Sequence, residues 1–125
     1  MVCKGELMAV QDVSRTLYSA QVISASDTAS SSVECGRFSE ATIYIKVTAK
    51  AGTSPTIDFD VQTSHDNSEW HKDSDITQIN DPTVTYYAPA VKIANSMGKY
   101  IRLNPTVGGS SSPSMTVTAK IVLKG

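Results

Sequence analysis

Residues 41–50 read Ala41-Thr42-Ile43-Tyr44-Ile45-Lys46-Val47-Thr48-Ala49-Lys50, and their polarity alternates with a period of two. Ile43, Ile45, Val47 and Ala49 fall on one face; Thr42, Tyr44, Lys46, Thr48 and Lys50 fall on the other. Successive side chains point to opposite faces only in an extended chain, whereas a helix would spread the same residues around its circumference. The stretch is a half-buried β-strand, and its β-branched content suits one. Outward from it the pattern repeats. Thr56 to Ser64 places Ile57, Phe59 and Val61 inward and Asp58, Asp60 and Gln62 outward. Ser114 to Leu123 aligns Met115, Val117, Ala119, Ile121 and Leu123 on one face.

Shorter signals fill the intervals. Leu17 to Ala25, Glu69 to Lys72, Asp75 to Ile79, Val84 to Ile93 and Lys99 to Val107 read as strands. Pro89 marks an edge or a bulge within Val84 to Ile93, because proline offers no ladder donor. About eight strands separated by turn residues predict an antiparallel sandwich or barrel, not a parallel α/β sheet. Glu6 to Val13 is the one stretch that allows helix, of a turn or two. Ala51-Gly52-Thr53-Ser54-Pro55 and Gly108-Gly109-Ser110-Ser111-Ser112-Pro113 each combine glycine with a proline that restarts the chain extended, and both read as hairpin loops. His65-Asp66-Asn67-Ser68 reads as a tight turn whose Asp and Asn bond the local backbone. Val47-Thr48-Ala49-Lys50 recurs as Val117-Thr118-Ala119-Lys120. Likewise Ser54-Pro55 before Ile57 and Phe59 recurs as Ser112-Pro113 before Met115 and Val117. These echoes fall on different arms of their hairpins, which suggests shared hairpin chemistry and not a repeat array.

The 125 residues carry 11 basic and 12 acidic side chains, a net charge of −1, and correspond to one domain with its own core. That balance argues against a nucleic-acid footprint and a polybasic membrane patch, and no apolar run approaches the length of a membrane-spanning helix. Met1 to Glu6 has too little apolar length for a signal peptide. Cys3 and Cys35 share no metal-like spacing with each other or with the histidines, and are expected to stay thiols, with Cys35 packed as a small apolar group. The 17 serines and 13 threonines divide by role: Thr42, Thr48, Thr116 and Thr118 take outward strand positions, while serine clusters at Ser30 to Ser32 and Ser110 to Ser112 fall in connections.

Four groups of residues have chemical potential. Asp58 and Asp60 share a solvent face, but acid–base work needs a cleft and a second, differently buried carboxylate, so a polar strand face is the simpler reading. Asp73, Ser74 and Asp75, with Asp66 and Glu69, offer oxygens for calcium without the EF-hand spacing. His65 and His71 lie across a turn, and zinc would need two further ligands. Trp70, Tyr86, Tyr87 and Tyr100 would either line a sugar-binding platform or serve the fold, with Trp70 plugging one end of the sandwich. The sequence contains neither a nucleophile elbow nor a phosphate-cradling glycine loop. No enzyme is expected, and no catalytic, cofactor or metal residue is assigned.

The order of motifs supplies a resemblance. The run Ala41 to Ala49, then Ala51-Gly52-Thr53-Ser54-Pro55-Thr56-Ile57-Asp58-Phe59-Asp60-Val61-Gln62-Thr63-Ser64, then Asp66-Asn67-Ser68-Glu69-Trp70, resembles small structural proteins of tailed bacteriophages. Gly98-Lys99-Tyr100-Ile101-Arg102 and Val107-Gly108-Gly109 through Ser112-Pro113-Ser114-Met115-Thr116-Val117 complete it, so the likeness covers residues 37 to 125. It implies an all-β fold, a single antiparallel β-sandwich resembling a jelly roll, in a virion component assembled in the host cytoplasm. Residues 1–16 are expected to form an N-terminal arm and 17–125 the sandwich. Ser26 to Ser32 would either reach a neighbour or remain a loop. The implied role is a capsid decoration or cement protein bound to the major capsid protein and to its own copies, a trimer as first expectation. The alternatives are a head–tail connector or tail component and, from another class, a carbohydrate-binding module.

Overall fold

The computed structural model describes residues 12–24, 29–94 and 98–125. Its strands are β1 (Val13–Ser24), β2 (Val33–Glu34), β3 (Glu40–Ser64), β4 (His71–Asn80), β5 (Tyr86–Tyr87), β6 (Val91–Ala94) and β7 (Tyr100–Lys124), with no helix among the described residues. The helical turn expected from Glu6 to Val13 lies outside the described residues except at its end, where Val13 opens β1. Val13 to Thr16, placed in the arm from sequence, pair with Leu123 to Lys120 and belong to the sheet. Cys3 and the other arm residues before position 12 lie outside the described residues.

All seven strands join one antiparallel hydrogen-bonded ladder, ordered β1-β7-β3-β4, with β2 on β7 and β5 and β6 on β3. Its spine is the pairing of β3 with β7, which runs from Glu40 opposite Lys124 to Ser64 opposite Tyr100. The two segments expected to be hairpin loops are not loops. They lie opposite each other in the middle of this ribbon, where Ala51 faces Ser114, Thr53 faces Ser110 and Thr56 faces Gly108. Positive φ angles gather there: Gly52 at 91°, Ser54 at 48°, Gly109 at 118°, Ser111 at 60° and Ser112 at 57°. Left-handed residues on both strands, with register shifts beside them, let the ribbon bend while the ladder continues. The Ser-Pro echo thereby acquires a structural cause. Ser54-Pro55 and Ser112-Pro113 occupy equivalent places on the two strands of the bend, each proline following a serine of positive φ.

The bend turns one ribbon into two layers. In the first layer the order is β1, the second half of β7, the first half of β3, then β5 and β6. In the second it is β2, the first half of β7, the second half of β3, then β4. Counting each half separately, and β5 with β6 as one broken edge, gives eight segments in jelly-roll order. The layers face each other across one core. Tyr18 on β1 and Phe59 on β3 have ring centroids 6.1 Å apart. Tyr18 pairs with Ala119, and Ala119 with Ile45; in a straight ribbon Ile45 and Phe59 would be roughly 45 Å apart at about 3.3 Å per residue. Ile43, Ile45, Val47, Met115 and Ile121 from the first layer meet Ile57, Phe59, Val61, Ile101 and Leu103 from the second, all fully buried or nearly so.

Ser30 and Ser31 stitch one side. The Ser30 amide donates to Leu103 O at 2.9 Å, the Leu103 amide donates to Ser30 Oγ at 2.8 Å, and the Ser31 amide donates to Leu17 O at 3.2 Å. This part of the segment expected to reach a neighbour is spent on the protein's own layers, because buried backbone groups must find partners; Ser26 to Thr28 lie outside the described residues. Cys35 is fully buried beside β2, as expected, and its thiol donates to Gly98 O at 3.5 Å. Burial first, then the charge of Glu34, pushes the thiol up to about 11, so it stays protonated and unreactive near neutral pH. The edges carry irregularities that discourage uncontrolled pairing: bulges and a positive φ at Ala20 in β1, bulges where β4 meets β3, and Pro89 between β5 and β6.

The bend is the place to test this account. A Cβ on Gly52 would lie 2.7 Å from Pro113 Cα, and one on Gly109 2.9 Å from Ser54 O, both at positive φ. Gly52→Ala and Gly109→Ala should each lower stability by roughly 1–3 kcal/mol in urea unfolding, whereas alanine at a solvent-facing loop glycine would be nearly neutral.

Candidate interaction surface

Odd-numbered residues of β3 and β7 fill the core, so the chemistry of the central strands lies on the even positions that line the two outer faces. On the second layer these are carboxylates and amides. Asp60 faces Asp75 across the β3–β4 ladder and Asn104 across the β3–β7 ladder. Asp58 accepts a hydrogen bond from Gln78 Nε2 at 2.9 Å. Lys72 Nζ lies 2.8 Å from Asp75 and 3.9 Å from Asp60. The hydrogen bond from Lys72 holds Asp75 below the usual carboxylate range. Desolvation, then the hydrogen bond with Asp75, pushes Asp60 up against the opposing charge of Lys72. The pair expected from sequence at Asp58 and Asp60 is thus part of a polar strand face on which Lys72 bridges Asp60 and Asp75 while Asp58 pairs with Gln78.

Beside this patch Arg102 stacks on Trp70, its guanidinium carbon 4.2 Å from the ring centroid, and its Nε donates to Gln62 Oε1 at 2.8 Å. Burial lowers Arg102 from its ordinary value, which still leaves it a cation. Trp70 therefore covers an outer face and does not plug an end of the sandwich. Nor do the four aromatics of the expected platform come together. Trp70 and Tyr100 belong to the second layer, whereas Tyr86 and Tyr87 pair with Val47 and Lys46 on the first.

The turn between β3 and β4 forms as its sequence indicates. Ser64 Oγ accepts the amides of Asp66 at 3.2 Å and Asn67 at 2.9 Å, and Asp66 Oδ1 accepts those of Ser68 and Glu69, both at 2.9 Å. Asn67 takes the left-handed position, with φ 63°. At its tip His65 Nε2 lies 3.6 Å and His71 Nε2 3.8 Å from the same Glu69 oxygen, all three side chains well exposed. The histidines do approach a shared carboxylate. Even so, among the described residues no group of three or more His, Cys, Asp and Glu side chains is placed to hold a metal ion.

The outer face of the first layer has the opposite character, and it was not singled out from sequence. Tyr44 sits directly opposite Lys120, and Lys46 directly opposite both Tyr87 and Thr118. Lys92 faces Thr42 one row further on, and Val22 faces Thr116. Tyrosine and lysine so alternate in neighbouring rows, around a shallow depression of about 430 Å³ that Ser14, Thr118 and Val122 also line. Tyr44 is 51% exposed, Tyr87 74% and Val22 64%, which makes them the most exposed large hydrophobic side chains among the described residues. Among the described residues, Lys46, Lys92 and Lys120 form no ion pair; the lysines that do are Lys50 and Lys72. Tyr44 and Lys46 announce themselves as outward positions in the opening stretch. Their neighbours Lys120 and Tyr87 come from distant segments, and only register reveals them.

No protein-family model matches the chain, and no curated protein matches it.

Two amides held by its carboxylate keep Asp66 low, at about 2 against an ordinary 3.8. A depressed acid stabilises the fold above its unfolded value and loses that contribution as pH falls through the folded one. Asp66→Asn should therefore flatten the fall of melting temperature between about pH 4 and pH 2, measured by circular dichroism, while leaving the fold at neutral pH intact.

Proposed function

We propose that this chain is a non-enzymatic structural protein of a tailed-phage virion, a capsid decoration or cement protein that binds the major capsid protein and copies of itself. The observation that carries this reading is the outer face of the first layer. Among the described residues this sheet face presents two exposed tyrosines, Tyr44 and Tyr87, beside lysines without carboxylate partners; exposed tyrosines are the side chains protein interfaces favour as anchors, and the free cations suit an acidic partner surface. The jelly-roll scaffold supports it by holding that face rigid, and the motif order along residues 37 to 125 supports it by resemblance. The carboxylates and histidines lie on open faces and at a turn tip, which suits surface recognition better than turnover.

A cement protein acts by linkage. Binding only the assembled shell adds about 2.7 kcal/mol per site when its concentration is about one hundred times Kd. Labelling this chain on purified virions tests the proposal. The expected result is label spread over the head at high copy number. Label confined to a single ring at the neck, or to the tail, would replace decoration by the connector or tail reading, and absence from virions would overturn both.

A further inference from the structure

We infer that the sandwich self-associates face to back, the tyrosine–lysine face of the first layer receiving the carboxylate face of the second layer of another copy. The chain is nearly neutral, at −1, yet its two outer faces lean in opposite directions. Lys46, Lys92 and Lys120 point out of the first layer, while Asp58, Asp60 and Asp75 point out of the second, where Lys72 pairs with Asp60 and Asp75 and the Arg102 cation lies one row away on Trp70. Both halves of a complementary contact are therefore present on every copy. The geometry also matches. Outward residues of a strand repeat about every 6.7 Å on either face, so Lys46 and the row of Lys120 carry the same spacing as Asp58 and Asp60. Stacked sheets sit about 10 Å apart, a gap that lysine and tyrosine side chains span. Tyr44 and Tyr87, half to three-quarters exposed on the single chain, would be covered in the contact.

Because the two faces differ, the contact is heterologous and leaves a free face of each kind at the ends. Its footprint, about three strands by three rows, is on the order of 300 Å², well below the roughly 800 Å² per partner of a stable interface. Dilute protein is thus monomeric, and the stack forms where copies are concentrated, as on a shared surface. The inference deepens the self-contact in the proposed function and rests on that reading for its setting, but purified protein tests it alone. A negative virion map leaves stacking standing, and failed stacking leaves virion location standing.

Sedimentation velocity up to millimolar protein provides the test. The average sedimentation coefficient should rise with concentration at about 10 mM ionic strength and stay flat near 1 M, where the Debye length shrinks from about 30 to about 3 Å. Lys46→Glu/Lys120→Glu and Asp58→Asn/Asp60→Asn should each remain monomeric, since each lacks one face. Mixed in equal amounts, they should form dimers and nothing larger, because each supplies the face the other lacks. A wild type that stays monomeric, a lysine variant that associates like wild type, or a mixture that stays monomeric although near-ultraviolet dichroism shows both variants folded, overturns the inference. If the glutamate variant misfolds, Lys46→Gln/Lys120→Gln takes its place under the same criteria.

Discussion

The pairing of β3 with β7 is the constraint on which the rest depends. Each strand runs for 25 residues, and they stay hydrogen-bonded from end to end. A straight ribbon of that length would expose one apolar side along its whole course, an arrangement stable only if something covers it. The bend at Gly52 to Pro55 and Gly109 to Pro113 solves this internally, folding the ribbon's apolar side onto itself. Every other strand then attaches to one half or the other, and the jelly-roll order follows from which half each one reaches.

The same constraint determines where surface chemistry can lie. With alternate residues committed to the core, the remaining positions form two flat outer faces pointing in opposite directions. One carries Tyr44, Lys46, Tyr87, Lys92 and Lys120, the other Asp58, Asp60, Asp75, Lys72 and the Trp70–Arg102 stack. Broad sheet faces with a few exposed aromatics are suited to contact with other proteins, which is the basis of the proposed structural role.

Much of the fold was legible in the sequence because strand periodicity is a local property. The inward residues Ile43, Ile45 and Val47, the set beginning at Ile57 and the set beginning at Met115 are buried, whereas Ala49 is exposed beside the bend. The turn expected at His65 to Ser68 forms with Asp66 bonding the backbone as read, and with Ser64 in the role given to Asn67. Elsewhere local signals misled. Glycine, serine and proline between two good strands look alike whether the chain reverses or merely bends, so 51–55 and 108–113 read as hairpin loops. Trp70 read as part of a platform or as a plug at one end of the sandwich, since sequence could not show that Arg102, 32 positions later, would stack on it. Ser30 and Ser31 read as part of a segment that either reaches a neighbour or remains a loop, because polar composition conceals the backbone bonds that tie them to Leu103 and Leu17.

Taken alone, the sequence determined the extended state and the inward side of the strongly alternating stretches, from Ile43 to Val47, from Ile57 to Val61 and from Met115 to Leu123, since both follow from the polarity of neighbours one and two positions away. It also determined that the chain is all-β and nearly neutral. Only the tertiary structure decided that the two Ser-Pro segments lie opposite each other, that one ribbon makes both layers, and that Tyr44, Tyr87, Lys46, Lys92 and Lys120 share one face while Asp58, Asp60 and Asp75 share the other. Those outcomes depend on register between segments up to 110 residues apart, as Val13 is from Leu123, and register is set by how the whole core closes and not by any local pattern.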